Sequence, residues 1–594
     1  MVNVVVVDTG LDENLINMYS KQLTLKYCFM EGDNYERVVL QDGGVDEVGH
    51  GTAVFSLLYV QGDVHYTIIK LFGDDIFIED SYLTAVLNYI YNNIECDILH
   101  MSCGTTLCED IPALENACKK LTDSGVIIVA AFDNSGAISY PASFQQVIGV
   151  DMDIRMLKRS DYIFVKNSMV NIRAIGSEQR LQWLNKEHRY VSGASFAAPC
   201  ITKLVIQYLL RGGYKAGVLR FLEENAKMIE SAKTAVRVEF PAVNKMLLFP
   251  FNKEIQNLIR YADMISAEIV AVADIRELGR VGTKVKYTIA EANSALTIQD
   301  IECIDWNGTF DTIVIGHMKF HELLRKGIKK EIMKKATEAR KNIVLLDTSC
   351  VDTESDYFCS TVSDQNISLG HYGKLYEIAK PVLAVMGTGP KQGKLAVQLS
   401  LRKHFVDSGY RVGQFGTEPT SFFYGFDECY PMGEESEVYV EGNKALQAVN
   451  YLMGRIERKN PDIIIAGCQS QTVASSYGNI GCHTIPQHEF LLGCKPDAIV
   501  LCTNYYDDFE YLDRTIQYIE SVSEGKVIAL MVSPMVRNNR WNILGSRQSY
   551  VESTRLRKKC VELTERFMIP AYWLFDATEN LKCYNTCVEF FTKD

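Results

Sequence analysis

The chain of 594 residues lacks any apolar run of about 18 residues, the length that a membrane-spanning helix needs, so we expect no membrane partner. Its 17 cysteines are scattered and odd in number, and no two of them form a Cys-x-x-Cys pair. An excess of basic residues is also absent, because 61 Lys and Arg face 74 Asp and Glu. The resulting net charge of −13 argues against nucleic acid as a partner.

What is present is an ordinary globular balance, with 47% hydrophobic and 23% charged residues. A chain of this length has room for about three domains. Asp8 already follows the first predicted strand, so we expect neither a signal peptide nor a pro-domain before it. Together with cysteines that are best read as reduced thiols, this predicts a cytoplasmic protein.

Four separated segments carry the residues that a serine nucleophile needs. Asp8 ends a strand of four valines, His50 lies between two glycines, and Asn134 follows another apolar strand. Ser195 lies in a turn of small residues that opens into an apolar helix. A carboxylate can orient an imidazole that takes the serine proton, while amide groups hold the oxyanion. Taken singly, each residue is more often a turn or cap residue, but the order Asp, His, Ser is that of subtilisin.

These four blocks and their flanking residues resemble the subtilase family of serine peptidases. The resemblance implies a three-layer fold around a parallel sheet and a catalytic triad of Asp8, His50 and Ser195. It implies that Asn134 is the side-chain donor of the oxyanion hole, and that proteolysis requires no cofactor. The residues that it places in the walls of the primary specificity pocket are Ser102, Cys103, Gly104, Phe132 and Asp133.

Asp133 stands where relatives usually carry glycine, which leaves two interpretations. Its carboxylate either favours a basic residue before the scissile bond or points outward and caps a turn, and we prefer the turn.

A second region alternates apolar strands such as Lys245–Phe249 with helical stretches such as Phe320–Ala339, which predicts a Rossmann-like parallel sheet. Gly279 and Gly282 do not complete a dinucleotide fingerprint. His317 and His321 have no third ligand in sight, so we expect two surface residues and no metal site.

A third region opens with a buried strand, a glycine-rich loop and a helix, which is the context of a phosphate-binding loop. The loop looks like the variant found in dethiobiotin-synthetase-type P-loop proteins. The residues that this likeness assigns to nucleotide binding are Gly387, Thr388, Gly389, Gln392, Gly393 and Lys394.

This loop departs from that family where a metal would bind. Leu395 replaces the Ser or Thr that normally ligates Mg²⁺, and Glu418 or Asp427 would have to hold the metal instead. Two alternatives stay open: binding of ATP or GTP with Mg²⁺ and weak hydrolysis, or a P-loop relic that serves as scaffold.

The predicted fold class is therefore α/β: a subtilisin-like domain over 1–238, a Rossmann-like domain over 243–378 and a P-loop NTPase-like domain over 379–594. The region after residue 245 also resembles clostridial proteins that mature ribosomally made peptides. This resemblance implies an intracellular endopeptidase that removes the leader of a peptide precursor, with other maturation enzymes as partners and a homo-oligomer left open. The alternatives are a nucleotide-responsive regulatory or scaffold protein, and a general degradative protease of the cytosol.

Overall fold

The computed structural model describes residues 1–31, 37–72, 79–232, 238–289, 292–349, 356–367, 372–433, 436–474, 477–478, 482–537 and 548–592. The chain folds into two compact units. One unit comprises Met1–Thr234 with Ser368–Ala379, and the other comprises Ala235–Ile367 with Lys380–Asp594. The second unit contains two seven-stranded sheets and a two-stranded one. The boundaries at 238, 243 and 378 stay predictions.

The first unit is built on one large sheet. Its strands are β1 (Val2–Asp8), β2 (Leu23–Glu31), β3 (Arg37–Asp42), β4 (Val64–Lys70), β5 (Ile98–Met101), β6 (Ile127–Ala131), β7 (Ile148–Asp153), β8 (Ile163–Lys166), β9 (Ile172–Ile175), β10 (Gln179–Gln182), β11 (His188–Val191) and β12 (Met228–Ser231). The sheet order is β12-β8-β9-β7-β6-β5-β1-β4-β2-β3, while β10 and β11 form a separate hairpin. Strands pair in parallel except at β2–β3 and β8–β9.

Helices cover both faces of this sheet, which makes three layers. They are α1 (Glu13–Tyr19), α2 (His50–Leu58), α3 (Asp80–Asn93), α4 (Ile111–Asp123), α5 (Ala194–Leu210) and α6 (Val218–Glu224). Successive side chains of a strand point to opposite faces. Val4 and Val6 accordingly join the core under α2 and α5, whereas Val5 and Val7 join the core under α3 and α4. The run of valines thus reflects a strand that is buried on both faces.

The second unit begins with a Rossmann-like sheet. Its elements are β13 (Lys245–Phe249), β14 (Glu268–Asp274), β15 (Lys284–Ile289), β16 (Ala292–Asp300), β17 (Thr312–Ile315), β18 (Asn342–Leu345), β19 (Phe358–Cys359), α7 (Lys253–Arg260), α8 (Lys319–Leu324) and α9 (Ile328–Glu338). The sheet order is β15-β16-β14-β13-β17-β18-β19. The helical stretch predicted over Phe320–Ala339 is two helices, because Gly327 adopts a left-handed φ of 84° before α9.

The last sheet carries the phosphate-loop sequence. Its elements are β20 (Val382–Gly387), β21 (Val412–Gly416), β22 (Glu428–Cys429), β23 (Ile463–Gly467), β24 (Ala498–Asn504), β25 (Lys526–Ser533), β26 (Met535–Arg537), β27 (Gln548–Tyr550), β28 (Ala571–Trp573), α10 (Lys394–Asp407), α11 (Asn443–Glu457), α12 (Ile485–Cys494), α13 (Phe509–Ser523), α14 (Ser553–Phe567) and α15 (Ala577–Phe591). The order β22-β21-β23-β20-β24-β25-β28 is parallel throughout, and β26 and β27 form a hairpin. The predicted α/β class with parallel sheets is confirmed. No helix within the described ranges is long and apolar enough to cross a bilayer.

Candidate active site

One cavity in the first unit brings together all nine residues that the sequence assigns to catalysis and to the specificity pocket. It has a volume of about 410 Å³. The predicted residues in its lining are Asp8, His50, Ser102, Cys103, Gly104, Phe132, Asp133, Asn134 and Ser195. They come from the carboxyl ends of three neighbouring strands and from the starts of two helices, where side chains of a parallel sheet converge.

Asp8 and His50 form a close polar contact in this cavity. His50 Nδ1 lies 2.7 Å from Asp8 Oδ1, and the same oxygen accepts the Thr9 amide at 2.8 Å. Burial opposes protonation of His50, but attraction to the Asp8 carboxylate outweighs it, so the pKa of His50 is raised. A carboxylate on Nδ1 leaves Nε2 as the nitrogen that can take up a proton.

A second buried carboxylate, which sequence reasoning missed, shapes the loop that delivers His50. Asp46 accepts the amides of Val48, Gly49 and Thr52 at 2.8–3.0 Å. It also accepts the Thr9 hydroxyl at 2.8 Å, which ties the loop to the end of β1. The sequence signal that could have indicated Asp46 is its position, four residues before His50, in a loop whose buried backbone amides need hydrogen-bond acceptors.

Ser195 lies in the first turn of α5, next to Asn134. Gly193, at the N-cap, has a φ of 137°, and a Cβ there would lie 2.7 Å from the Asn134 side-chain oxygen. That oxygen accepts the Ala194 amide at 2.7 Å, which leaves the side-chain NH₂ of Asn134 for another acceptor. The Ser195 hydroxyl donates to the carbonyl of Ser102 at 3.1 Å.

A buried histidine also fixes the backbone at Ser195. The Ser102 hydroxyl donates to the Ser195 carbonyl and lies 2.8 Å from His100 Nε2. On the other side of the ring, His100 Nδ1 lies 2.8 Å from the Thr202 hydroxyl. Burial lowers the pKa of His100 to about 4, so the ring is neutral, donates from Nε2 and accepts at Nδ1. Nothing in the sequence pattern distinguished His100 from an ordinary strand residue.

The two walls of the predicted specificity pocket differ in character. Asp133 accepts the amides of Ser135 and Gly136, so its carboxylate caps a turn. Burial raises the pKa of the Cys103 thiol far above its ordinary value, which makes Cys103 an apolar wall residue. Trp183, which directly follows β10, adds an aromatic side to the lining.

Of the residues predicted to bind nucleotide, Gln392, Gly393 and Lys394 line a cavity of about 400 Å³ within the second unit, whereas Gly387, Thr388 and Gly389 are not part of its described lining. Four cationic side chains line this cavity: Lys253, Arg260, Lys391 and Lys394. Burial lowers the pKa of Lys394, whose amine donates to the Gly389 carbonyl at 2.7 Å.

The side chain of Gln392 fills the centre of this loop. It accepts the Gly389 amide at 2.9 Å and donates to the Thr388 hydroxyl at 2.6 Å. A phosphate-binding loop uses such amides to hold phosphate oxygens, so Gln392 competes with phosphate for one of them.

The two predicted metal candidates separate in space. Glu418 lines the cavity of Lys394, and burial raises its pKa. Asp427 instead accepts the Gln414 amide at 2.8 Å and pairs with Lys459 at 2.7 Å. Leu395 has no hydroxyl, and Glu418 is the one carboxylate in the described lining. This set of side chains does not fit the usual Mg²⁺ site of a P-loop.

The two histidines after β17 of the Rossmann-like sheet contact two different aspartates. His321 Nε2 lies 2.9 Å from Asp274 Oδ1, and His317 Nδ1 lies 3.2 Å from Asp347 Oδ2. The expectation of two surface residues is wrong for His321, which is 4% exposed. No group of three metal-ligating residues occurs in the described part of the chain.

Comparison with known families agrees with both halves of this geometry. Residues 1–220 match the model of the Subtilase family, and residues 371–580 match the P-loop domain of unknown function DUF1611_C. The chain joins a subtilase domain to a DUF1611 P-loop domain. The subtilase domain is 26% identical over 225 residues to the Major intracellular serine protease of Bacillus subtilis (strain 168). That match covers 34% of this chain and 66% of the relative, just under two thirds of its length.

Solved structures similar to the two domains come from both families. A DUF1611 family protein from Anabaena variabilis is 15% identical, with a TM-score of 0.41, over 58% of this chain and 99% of that protein. The prenylagaramide maturation protease PagA is 21% identical, with a TM-score of 0.29, over 40% of this chain and 85% of that protein. A cold adapted subtilisin-like serine proteinase is 20% identical, with a TM-score of 0.31, over 38% and 81% of the two chains.

Proposed function

We propose that the subtilase domain is a serine endopeptidase in which Ser195 is the nucleophile and His50 the general base. The observation that carries this proposal is the 2.7 Å contact between His50 Nδ1 and Asp8 Oδ1, inside the cavity that also holds Ser195. Asp8 orients the imidazole, and the Asn134 side chain with the Ser195 amide holds the oxyanion.

In the proposed reaction, the Ser195 hydroxyl first leaves the Ser102 carbonyl by rotation about its Cα–Cβ bond. Its oxygen then attacks the peptide carbonyl while its proton passes to Nε2 of His50. The tetrahedral intermediate collapses, the C–N bond breaks, and His50 returns the proton to the leaving amine. Water repeats these steps on the acyl-enzyme and releases Ser195.

The proposed substrate is a ribosomally made peptide precursor, from which the enzyme removes a leader. The resemblance of the C-terminal region to peptide-maturation proteins supports this substrate. The name of the Bacillus subtilis relative, an intracellular protease, supports a cytoplasmic location. In this proposal the C-terminal domains recognise the precursor or regulate its cleavage in response to nucleotide.

The decisive experiment incubates the full chain with a library of precursor-like peptides, with and without ATP and Mg²⁺, and identifies the products by mass spectrometry. Cleavage at few sites supports a maturation enzyme, whereas indiscriminate cleavage supports the degradative alternative. Ser195→Ala should abolish every product while the thermal unfolding temperature stays the same. Absence of products with well-folded wild-type protein would contradict the endopeptidase.

A second candidate function is a nucleotide-responsive regulatory or scaffold protein. The cationic cavity around Lys394 favours it, because four basic side chains and loop amides suit a phosphorylated ligand. In this alternative, Ser195→Ala leaves binding of the precursor peptide intact and nucleotide changes that binding. A pull-down with the precursor library, combined with the cleavage assay, separates the two functions, because nucleotide-dependent binding by wild-type protein without any product supports the regulatory one.

A further inference from the structure

Residues 372–379, which we name the strap, belong to the first unit although the chain reaches them only after the Rossmann-like sheet. They lie in sequence between β19 and β20, and both of those strands are part of the second unit. The chain therefore leaves the subtilase unit, builds a sheet elsewhere, returns along the strap and leaves again. Such a return needs contacts that offset the conformational entropy lost when the strap becomes ordered.

Lys374 provides the most deeply buried of these contacts. Its side chain is 6% exposed, and its amine lies 3.2 Å from the Asp151 carboxylate on β7. The same amine lies 5.4 Å from the centre of the Phe132 ring, in a cation–π arrangement. Phe132 is a lining residue of the catalytic cavity, so the lysine supports that wall from behind. A buried charge is tolerated only when it is paired, and the pair then holds one geometry.

Other strap residues bind the loops that carry the two walls. The Leu375 carbonyl accepts the Ile138 amide at 2.8 Å, and Ile138 lies four residues after Asn134. The Glu377 carboxylate accepts the Thr106 hydroxyl at 2.6 Å, and Thr106 lies two residues after Gly104.

The two loops are also bonded to each other at this place. The amide of Thr105 donates to the Tyr140 carbonyl at 2.9 Å, and the Tyr140 amide donates to the Thr105 carbonyl at 2.8 Å. The strap thus lies across a pair of loops whose spacing sets the width of the pocket between them.

The end of the strap that is first in sequence is anchored away from the pocket. The Tyr372 hydroxyl donates to Glu230 on β12 at 2.9 Å, and the Arg173 guanidinium stacks 4.2 Å from the centre of the Tyr372 ring. The strap is therefore held at both ends and in the middle.

We propose that the strap completes the substrate pocket of the subtilase domain and that Lys374 is a positioning residue for the Phe132 wall. This inference rests on the proposed endopeptidase function. Lys374 touches neither the triad nor, in our account, the substrate; it fixes the ring of Phe132 and the start of the Asp133–Asn134 turn. The specificity pocket then depends on residues that follow the Rossmann-like sheet in sequence.

The test compares full-length Lys374→Met with Lys227→Met. Lys227 is a matched control, because it pairs with Asp161 at 2.7 Å in the same unit but is half exposed and remote from the cavity. Two activities are measured for each protein: kcat and KM on a chromogenic tetrapeptide anilide, and the rate at which a small fluorophosphonate labels Ser195. The fluorophosphonate needs the triad but not the specificity pocket.

For Lys374→Met we expect KM to rise about 10- to 100-fold, the scale of a pocket displaced by around 1 Å, with fluorophosphonate labelling within about twofold of wild type. Lys374→Arg should have a KM between those of Lys374→Met and wild type, and Lys227→Met should change neither activity. Unchanged KM in folded Lys374→Met overturns the inference, and so does an equal loss of labelling and cleavage.

If Lys374→Met fails to fold, the exposed contact supplies the test. Glu377→Ala and Thr106→Val each remove the hydrogen bond between these two side chains without touching the core, and each should raise KM severalfold while labelling is unchanged. No effect of either variant on KM overturns the inference. A wild-type protein that is neither labelled nor active contradicts the endopeptidase itself, which keeps the two failures distinct.

Discussion

At the scale of single residues, the proposed mechanism makes cleavage depend on the protonation of His50. The proposed general base must be neutral, and the contact with Asp8 raises the pKa of His50. Activity is therefore lost as pH falls through a value above about 6.5, the ordinary pKa of histidine. We expect the acid limb of the kcat/KM profile to have its midpoint above that value.

The control for this prediction is a direct titration of the His50 ring by NMR in the Ser195→Ala protein. The midpoint of that titration and the kinetic midpoint should agree, because kcat/KM reports groups of the free enzyme. An acid limb well below pH 6 would assign the kinetic titration to another group.

The sequence was sufficient to predict which residues of the candidate triad share one cavity, and insufficient to predict the residues that hold them there. Asp8, His50 and Ser195 stand in local patterns that only a few backbone geometries satisfy. Asp46 and His100 act through hydrogen bonds to residues up to about a hundred positions away, such as the one from Thr202 to His100. Pairings of this kind depend on tertiary structure, and a single chain without relatives to compare contains no local sign of them.

At the scale of elements, the glycine-rich loop before α10 combines a phosphate-binding backbone with a side chain that occupies it. Gln392→Ala frees the Gly389 amide, so we expect ATP or GTP to bind more tightly, by up to about tenfold. Lys394→Ala removes a buried cation from the same cavity and should weaken binding about 10- to 100-fold.

Isothermal titration of each variant with ATP and with GTP, with and without Mg²⁺, measures these effects. Lys403→Ala is the control on the same helix, since Lys403 is exposed and pairs with Asp407 at 3.1 Å outside the Lys394 cavity. If wild-type protein and Gln392→Ala both fail to bind nucleotide at millimolar concentration, the loop is a scaffold.

At the scale of the whole molecule, the cysteines form a set of mostly buried, reduced thiols. Sixteen of the 17 fall within the described residues, where none of them forms a disulfide, and Cys303 alone among these sixteen is exposed. Burial raises the pKa of many of the others, Cys118 and Cys502 among them to about 12. Thiolates react and buried thiols do not, so a disulfide reagent should modify Cys303 first in the native protein.

Timed labelling followed by peptide mapping measures this order. Cys303→Ser should remove one fast equivalent from the reaction with the native protein, and denaturation should expose the remaining thiols. Rapid labelling of Cys118 in native protein would show that the α4 face of the sheet opens more readily than its packing indicates.

The return of the strap to the first unit has a consequence for the synthesis of the protein on the ribosome. Residues 1–234 are synthesised before the strap exists, because the whole Rossmann-like sheet is translated in between. At ordinary rates of translation this interval is on the order of 10 s. If the strap completes the substrate pocket as proposed, a nascent subtilase domain lacks that support during this interval. The proposed peptidase would then become competent only after the strap has been made, and translation would delay its activity.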